Sequence, residues 1–210
     1  TVIGHNAGTA ITTGDGNTAV GDLALDANTT SSDNVAIGRC ALTTNITGAN
    51  NVAVGSYSLR DSTGSDNVAV GSGSALVNTS GENNVAVGRQ SLKCNTTASS
   101  NTAVGSSALC ANTTGDKNVA IGSCSLQSNT TAGENVAIGQ QALQCNVTGI
   151  HNTGIGAGAL LKNTDCRNVA IGYHSLLCNT SGESNTAIGY NSLDANTTAD
   201  NNTAVGKDSL

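Results

Sequence analysis

The chain has 210 residues, a net charge of −6 and no Phe, Trp, Met or Pro; Tyr57, Tyr173 and Tyr190 are its only aromatics. A core without large aromatics must be thin and built from Ala, Val, Ile and Leu. Eight Lys and Arg residues scattered along the sequence exclude a nucleic-acid binder, which needs a basic patch, and no apolar run approaches the ~18 residues of a membrane span.

In chain order, one short element recurs. After an opening "TVIG", the motif Asn-[Thr/Val]-Ala-[Val/Ile]-Gly starts at Asn17, Asn34, Asn51, Asn67, Asn84, Asn101, Asn118, Asn135, Asn152, Asn168, Asn185 and Asn202. The interval is 17 residues, or 16 after Asn51 and Asn152. Numbered from that Asn, the unit reads N-V-A-I-G-x-x-S-L-x-x-N-T-T-G-x-x. A fixed short period marks a repeat architecture. Residues 1–210 are therefore one array of 13 partial or complete copies, read here as a piece of a longer chain because it starts and stops inside a repeat.

Each copy is too short for a helical repeat, which needs roughly 33 residues. Low charge and abundant β-branched residues argue against disorder. Positions 2–4 form a β-branched run ending in Gly, Leu follows at position 9, and turn residues fill the remainder. The fold class is all-β: a parallel β-solenoid of about 12 coils, with two or three short strands per coil and ~4.8 Å between coils. One coil offers three or four aliphatic side chains, each worth about 1.5–3 kcal/mol on burial. Ordering the backbone costs about 1–2 kcal/mol per residue. Stability must come from stacking, from ladder hydrogen bonds between coils and from association of chains.

Alternation puts positions 2 and 4 on one face and position 3 on the other. Position 4 admits only Val or Ile, so positions 2 and 4 are read as inward, with Leu at position 9 as the main filler. The expected core includes Val35, Ile37, Leu42, Val52, Val54, Leu59, Ile121, Leu126, Ile138 and Leu143. The near-constant Ala at position 3 is read as facing out, packed against another chain. The 16-residue copies lose a residue after position 12, where a loop absorbs it. The copy from Asn67 has one extra residue before Leu76 and is read as a bulge.

The anchor with "SL" and "NTTG" resembles the head-domain repeats of trimeric autotransporter adhesins. The fuller "NTAIGYNSLDANTT", residues 185–198, resembles repeats of phage and large algal virus tail-fibre proteins. The first resemblance implies a parallel β-roll wound as a homotrimer. The second implies a fibre that ends in a self-cleaving chaperone domain. Both cover the whole chain, which departs from the adhesin pattern in its longer period and its seven cysteines.

Asn-x-Ser/Thr occurs at Asn28, Asn45, Asn78, Asn95, Asn112, Asn129, Asn146, Asn179, Asn196 and Asn201. These Asn residues are either glycan acceptors or, for the nine at position 12, rungs of a stacked hydrogen-bonded ladder. A ~4.8 Å spacing is crowded for a sugar on every coil and favours the ladder. Thr at positions 13 and 14 raises an ice-binding face, but the outward pair would be Asn at 12 with Thr at 14, a poor match to Thr-x-Thr ranks. Of the seven cysteines, Cys94 and Cys110 lie in successive coils at neighbouring positions and are the candidate disulfide within the chain; the others substitute for Ser or Ala or bridge between chains. His5, His151 and His174 occupy unrelated positions and read as solvated. The glycines of "GIGAGAL", 154–160, belong to the repeat rather than to a nucleotide loop.

No catalytic constellation, metal-ligand cluster or cofactor motif stands out, so no enzyme is expected. The sequence reads as an extracellular structural fibre or adhesin segment, a rigid spacer that self-associates. Host-surface or glycan ligands would be bound through regions outside this chain. An N-glycosylated filament subunit is the alternative, and an ice-binding solenoid a remote one.

Overall fold

The computed structural model describes all 210 residues. Thirteen strands lie one per copy: β1 Val2–Ile3, β2 Thr18–Val20, β3 Val35–Ile37, β4 Val52–Val54, β5 Val68–Val70, β6 Val85–Val87, β7 Thr102–Val104, β8 Val119–Ile121, β9 Val136–Ile138, β10 Thr153–Ile155, β11 Val169–Ile171, β12 Thr186–Ile188 and β13 Thr203–Val205. They form one parallel sheet in sequence order. Position 3 pairs with position 3 at every step, as in Ala36 with Ala53. The chain is a β-solenoid of about 12 coils, as expected from the period.

Each coil contains one strand, not two or three. The Gly at position 5 has φ near +130°, and positions 7 and 9 both lie in the left-handed region, as at Cys40 (φ 54°) and Leu42 (φ 50°). A backbone that reverses the sign of φ at alternate residues turns instead of extending. It still bonds its neighbours: Cys40 N–H donates to Asp22 in the preceding coil at 2.9 Å, and Leu42 N–H to Ser58 in the following coil at 3.1 Å. Only 23 of 131 backbone hydrogen bonds lie within strands, so the turns carry most of the cohesion. A left-handed Leu costs about 1–2 kcal/mol, which burial of its side chain, about 1.5–3 kcal/mol, offsets.

The strand faces are the reverse of the sequence reading. Ala36 and its column are fully buried, whereas Val35, Val52 and Val54 are half-buried and Ile37, Ile121 and Ile138 are exposed at 36–39%. Those six residues are therefore not core; Leu42, Leu59, Leu126 and Leu143, all at 0%, are. The cause is the narrowness of the coil. A methyl added at Gly154, the one position-3 glycine, would sit 3.4 Å from Leu143 Cδ1 and 3.2 Å from the Ala159 carbonyl oxygen. The Leu column leaves room for a methyl and nothing larger. Position 3 is small because of the chain's own interior, not a neighbouring chain.

The copy from Asn67 has no bulge. Ala75 takes the Leu place, with φ 44° and the same backbone bond to the next coil, and β4, β5 and β6 keep register. Leu76 moves to the surface position beside it. The 16-residue coils keep register as well, because the shortened turn after Ser62 or Asn163 absorbs the loss.

Close approach fixes the pitch at position 5. A Cβ on Gly122 would lie 2.5 Å from the backbone of Gly139, so no side chain fits between these rungs. In urea unfolding followed by circular dichroism, Leu126→Ala should lose about 2–5 kcal/mol. Val119→Thr, on the outer face in a column where Thr102 already stands, should lose less than about 1 kcal/mol.

Candidate functional site

Two asparagine columns occupy the polar half of the interior. At position 12, Asn28, Asn45, Asn78, Asn95, Asn112, Asn129, Asn146 and Asn179 are all 0% exposed. From Asn78 onward the ladder is continuous: each Nδ2 donates to the preceding Oδ1, at 3.1 Å for Asn112 to Asn95, 2.9 Å for Asn129 to Asn112, and 2.8 Å for Asn179 to Asn163 and Asn196 to Asn179. Toward the N-terminus, serines intervene. Asn78 donates to Ser62 and Asn45 to Ser31.

The anchor asparagines form a second ladder that the sequence reading left as a plain motif. Asn34 N–H donates to Asn17 Oδ1 at 3.0 Å, and the same bond recurs through Asn202 N–H to Asn185 Oδ1 at 2.9 Å. The signal was present: a polar residue that never varies beside an inward-facing column must itself be inside and paired. Both ladders then meet. Asn34 and Asn45 donate to the same Gly48 carbonyl, at 3.0 and 2.8 Å. Asn118 and Asn129 do so at Ala132, at 2.8 and 2.9 Å. No buried side-chain nitrogen or oxygen is left unpartnered.

This geometry bears on the sequons. Where Asn Nδ2 is sealed inside and donating, a glycan requires that coil to open. Of the ten candidates, only Asn201 is exposed, and Asn196 is half-buried in the last complete coil. The ice-face pairing is corrected too, since Asn at position 12 points inward. Most position-13 threonines are also occupied: Thr79, Thr96 and Thr113 hydroxyls donate to the position-13 carbonyl of the next coil at 2.8–3.0 Å.

The seven cysteines are free. Cys94 and Cys110 are not bonded to each other, although they are neighbours through a backbone hydrogen bond of 3.1 Å. Burial, then the nearby Cys94, pushes the Cys110 thiol up. The histidines are surface residues with partners: His5 meets Asp22, His151 meets Glu134 at 2.9 Å, and His174 stacks on Tyr173. The hydrogen bond from His151, then that from Lys117, holds the Glu134 carboxyl below its ordinary range. No three His, Cys, Asp or Glu side chains are grouped to hold a metal ion, and no helix is long and apolar enough to cross a membrane.

Outside, positions 2 and 4 of β2–β13 make two unbroken columns of Val, Ile and Thr along one face. No family model, curated protein or solved structure matches this chain. The functional reading therefore rests on this face and on the ladders beneath it.

Asn118→Asp should destabilise the array by several kcal/mol at pH 7, because a buried carboxylate loses both amide donors. Burial raises the folded-state pKa of such an acid, so the penalty should shrink as pH falls through that value; melting curves at pH 7 and pH 4 check this. With iodoacetamide, Cys145, an exposed thiol, should alkylate well before Cys110 and the buried Cys40. Peptide mass spectrometry against time reads the order.

Proposed function

We propose that the chain is a rigid segment of an extracellular fibre or adhesin, and that it self-associates side by side, as a homotrimer, through the outer faces of its strands. The observation that carries this reading is the two-column Val/Ile/Thr face. Parallel sheets are normally covered on both sides. This one is packed inside by Leu and Ala and bare outside, with Ile37, Val70, Ile121, Ile138, Ile171 and Ile188 at 36–39% exposure along its length. A contiguous apolar strip of that extent marks an association surface. Its repeat along one axis suits copies lying lengthwise against each other. The adhesin and tail-fibre resemblance supplies the number three and the extracellular setting.

The role is mechanical. Coils bonded only to their neighbours, with a pitch set by close Gly contacts, transmit force along the rod and resist bending. Nothing in this part calls for catalysis. A glycan-coated filament is less well supported, because eight of ten sequons are sealed inside.

Sedimentation equilibrium at micromolar concentration should give three times the 20.6 kDa chain mass. The double variant Ile138→Glu/Ile171→Glu should give the mass of one chain while keeping its circular dichroism spectrum. A single-chain mass for the unaltered protein would sink the proposal, and open-ended growth in its place would favour end-to-end stacking.

A further inference from the structure

We infer that the rod itself carries a ligand site: a groove centred on Gly73 that binds a saccharide bearing a carboxylate or sulfate. The site deepens the fibre reading by giving this segment its own recognition function, and it does not depend on how many chains associate. It lies at positions 6, 7 and 10, outside the strand face.

Three of the chain's eight cations, Arg60, Arg89 and Lys93, line this point, and a fourth, Arg39, lies one coil beyond Arg60, on a molecule of net charge −6. The sequence scattered them; the stacking gathers them. Two departures from the repeat open the space. Position 7 usually carries a side chain, as at Tyr57 and Gln90 on either side, but here it is Gly73, and a Cβ there would meet nothing closer than Gln90 Cγ at 3.8 Å. The shift that puts Ala75 in the Leu seat leaves Leu76 on the surface as an apolar lining. The result is a groove of about 320 Å³, lined also by Tyr57, Arg60, Arg89 and Lys93, with no acidic residue in its lining.

The cations are not equivalent. Arg60 is committed to Asp61 through two hydrogen bonds, at 2.8 and 2.6 Å. Arg39 lies 4.9 Å from the Tyr57 ring centroid and stiffens that wall. Arg89 and Lys93 have no carboxylate partner; Arg89 reaches only the Gln90 amide oxygen, at 3.4 Å. They are the two charges free for a ligand.

Chemistry then selects the class. The volume is at the small end of ligand sites, ~300–1,000 Å³, and suits one or two sugar rings rather than a folded partner. Tyr57 and Leu76 offer apolar surface to the C–H face of a pyranose. Ser72 and Gln90, which also line the groove, suit its hydroxyls. Arg89 and Lys93 supply charge-assisted hydrogen bonds to one anionic group. A nucleic acid would need a basic stripe continuing along the rod, and the neighbouring coils do not provide one.

Calorimetric titration at low salt should test three sugar probes, tetragalacturonate, a heparin-derived sulfated tetrasaccharide and neutral cellotetraose, with a single-stranded oligonucleotide run alongside them. One or both charged probes should bind one per chain and cellotetraose should not; the probe that binds distinguishes carboxylate from sulfate. Arg89→Gln/Lys93→Gln should weaken binding by at least about tenfold. Gly73→Gln should do the same by filling the groove without removing charge, while Lys162→Gln, elsewhere on the rod, should have no effect. In the unaltered protein, which needs no variant to fold, the bound probe should shield Lys93 from acetylation and leave Lys117 and Lys162 reactive. The inference is overturned if neither charged probe binds, if a folded Gly73→Gln binds as well as the original, if Lys93 is not shielded, or if a single-stranded oligonucleotide binds more tightly than either sugar.

Discussion

In most coils one backbone carbonyl accepts two side-chain amides, one from each buried asparagine, and much of the molecule follows from that arrangement. Gly48, Gly81, Ala98, Ala132, Gly149 and Gly182 are such acceptors. An amide side chain has two donors and two acceptor sites. The anchor Asn uses one donor on this carbonyl, and its oxygen takes the next anchor's backbone N–H. The turn is thereby closed from inside, and the coil can be narrow without stranding polar groups. Narrowness in turn limits position 3 to a methyl, directs Val and Ile outward, and leaves Leu at position 9 as the one large apolar side chain in the centre.

A solenoid built this way has a core rich in amides: 20 of its 67 buried residues are asparagine. Apolar burial per coil is small, and the hydrogen bonds compensate because the coil's own turn carbonyl and the adjacent coils together supply every partner. Cohesion is local and repeated, so the energy is close to a sum over coils and their interfaces. Departures from the consensus are tolerated where a neighbour can supply the missing partner. Ser62 accepts from Asn78 in place of an Asn, and the Asp165 carbonyl takes both Asn152 and Asn163 in a coil one residue short.

The period, the class of fold, the Leu column and the position-12 ladder were all legible in the sequence, because each depends only on spacing. The side of the strand that faces inward was not. Alternation separates two faces without saying which is inside, and the apolar residues of Val35 and Ile37 pointed the wrong way. What decides is the distance from Ala36 across to the Leu column, which no single repeat reveals. Left-handed Leu42 was equally hidden, since Leu rarely adopts that conformation and does so here only because its neighbours above and below hold it. The groove at Gly73 was invisible for a different reason: Tyr57 and Arg60 stand two copies before Arg89 and Lys93 in the sequence and line one groove only once the coils are stacked.

The ladders also give the rod a direction. Anchor asparagines donate toward the N-terminal side, while the position-13 threonines donate toward the C-terminal side. Cut between any two such coils, and one surface shows free amide oxygens beside hydroxyl hydrogens, while the other shows amide hydrogens beside carbonyl oxygens. These surfaces match each other like plug and socket, and neither matches a copy of itself. Any join between coils, within one chain or between two, has a single permitted orientation, so reversal of polarity along such a rod is forbidden by the bonding pattern of its interior.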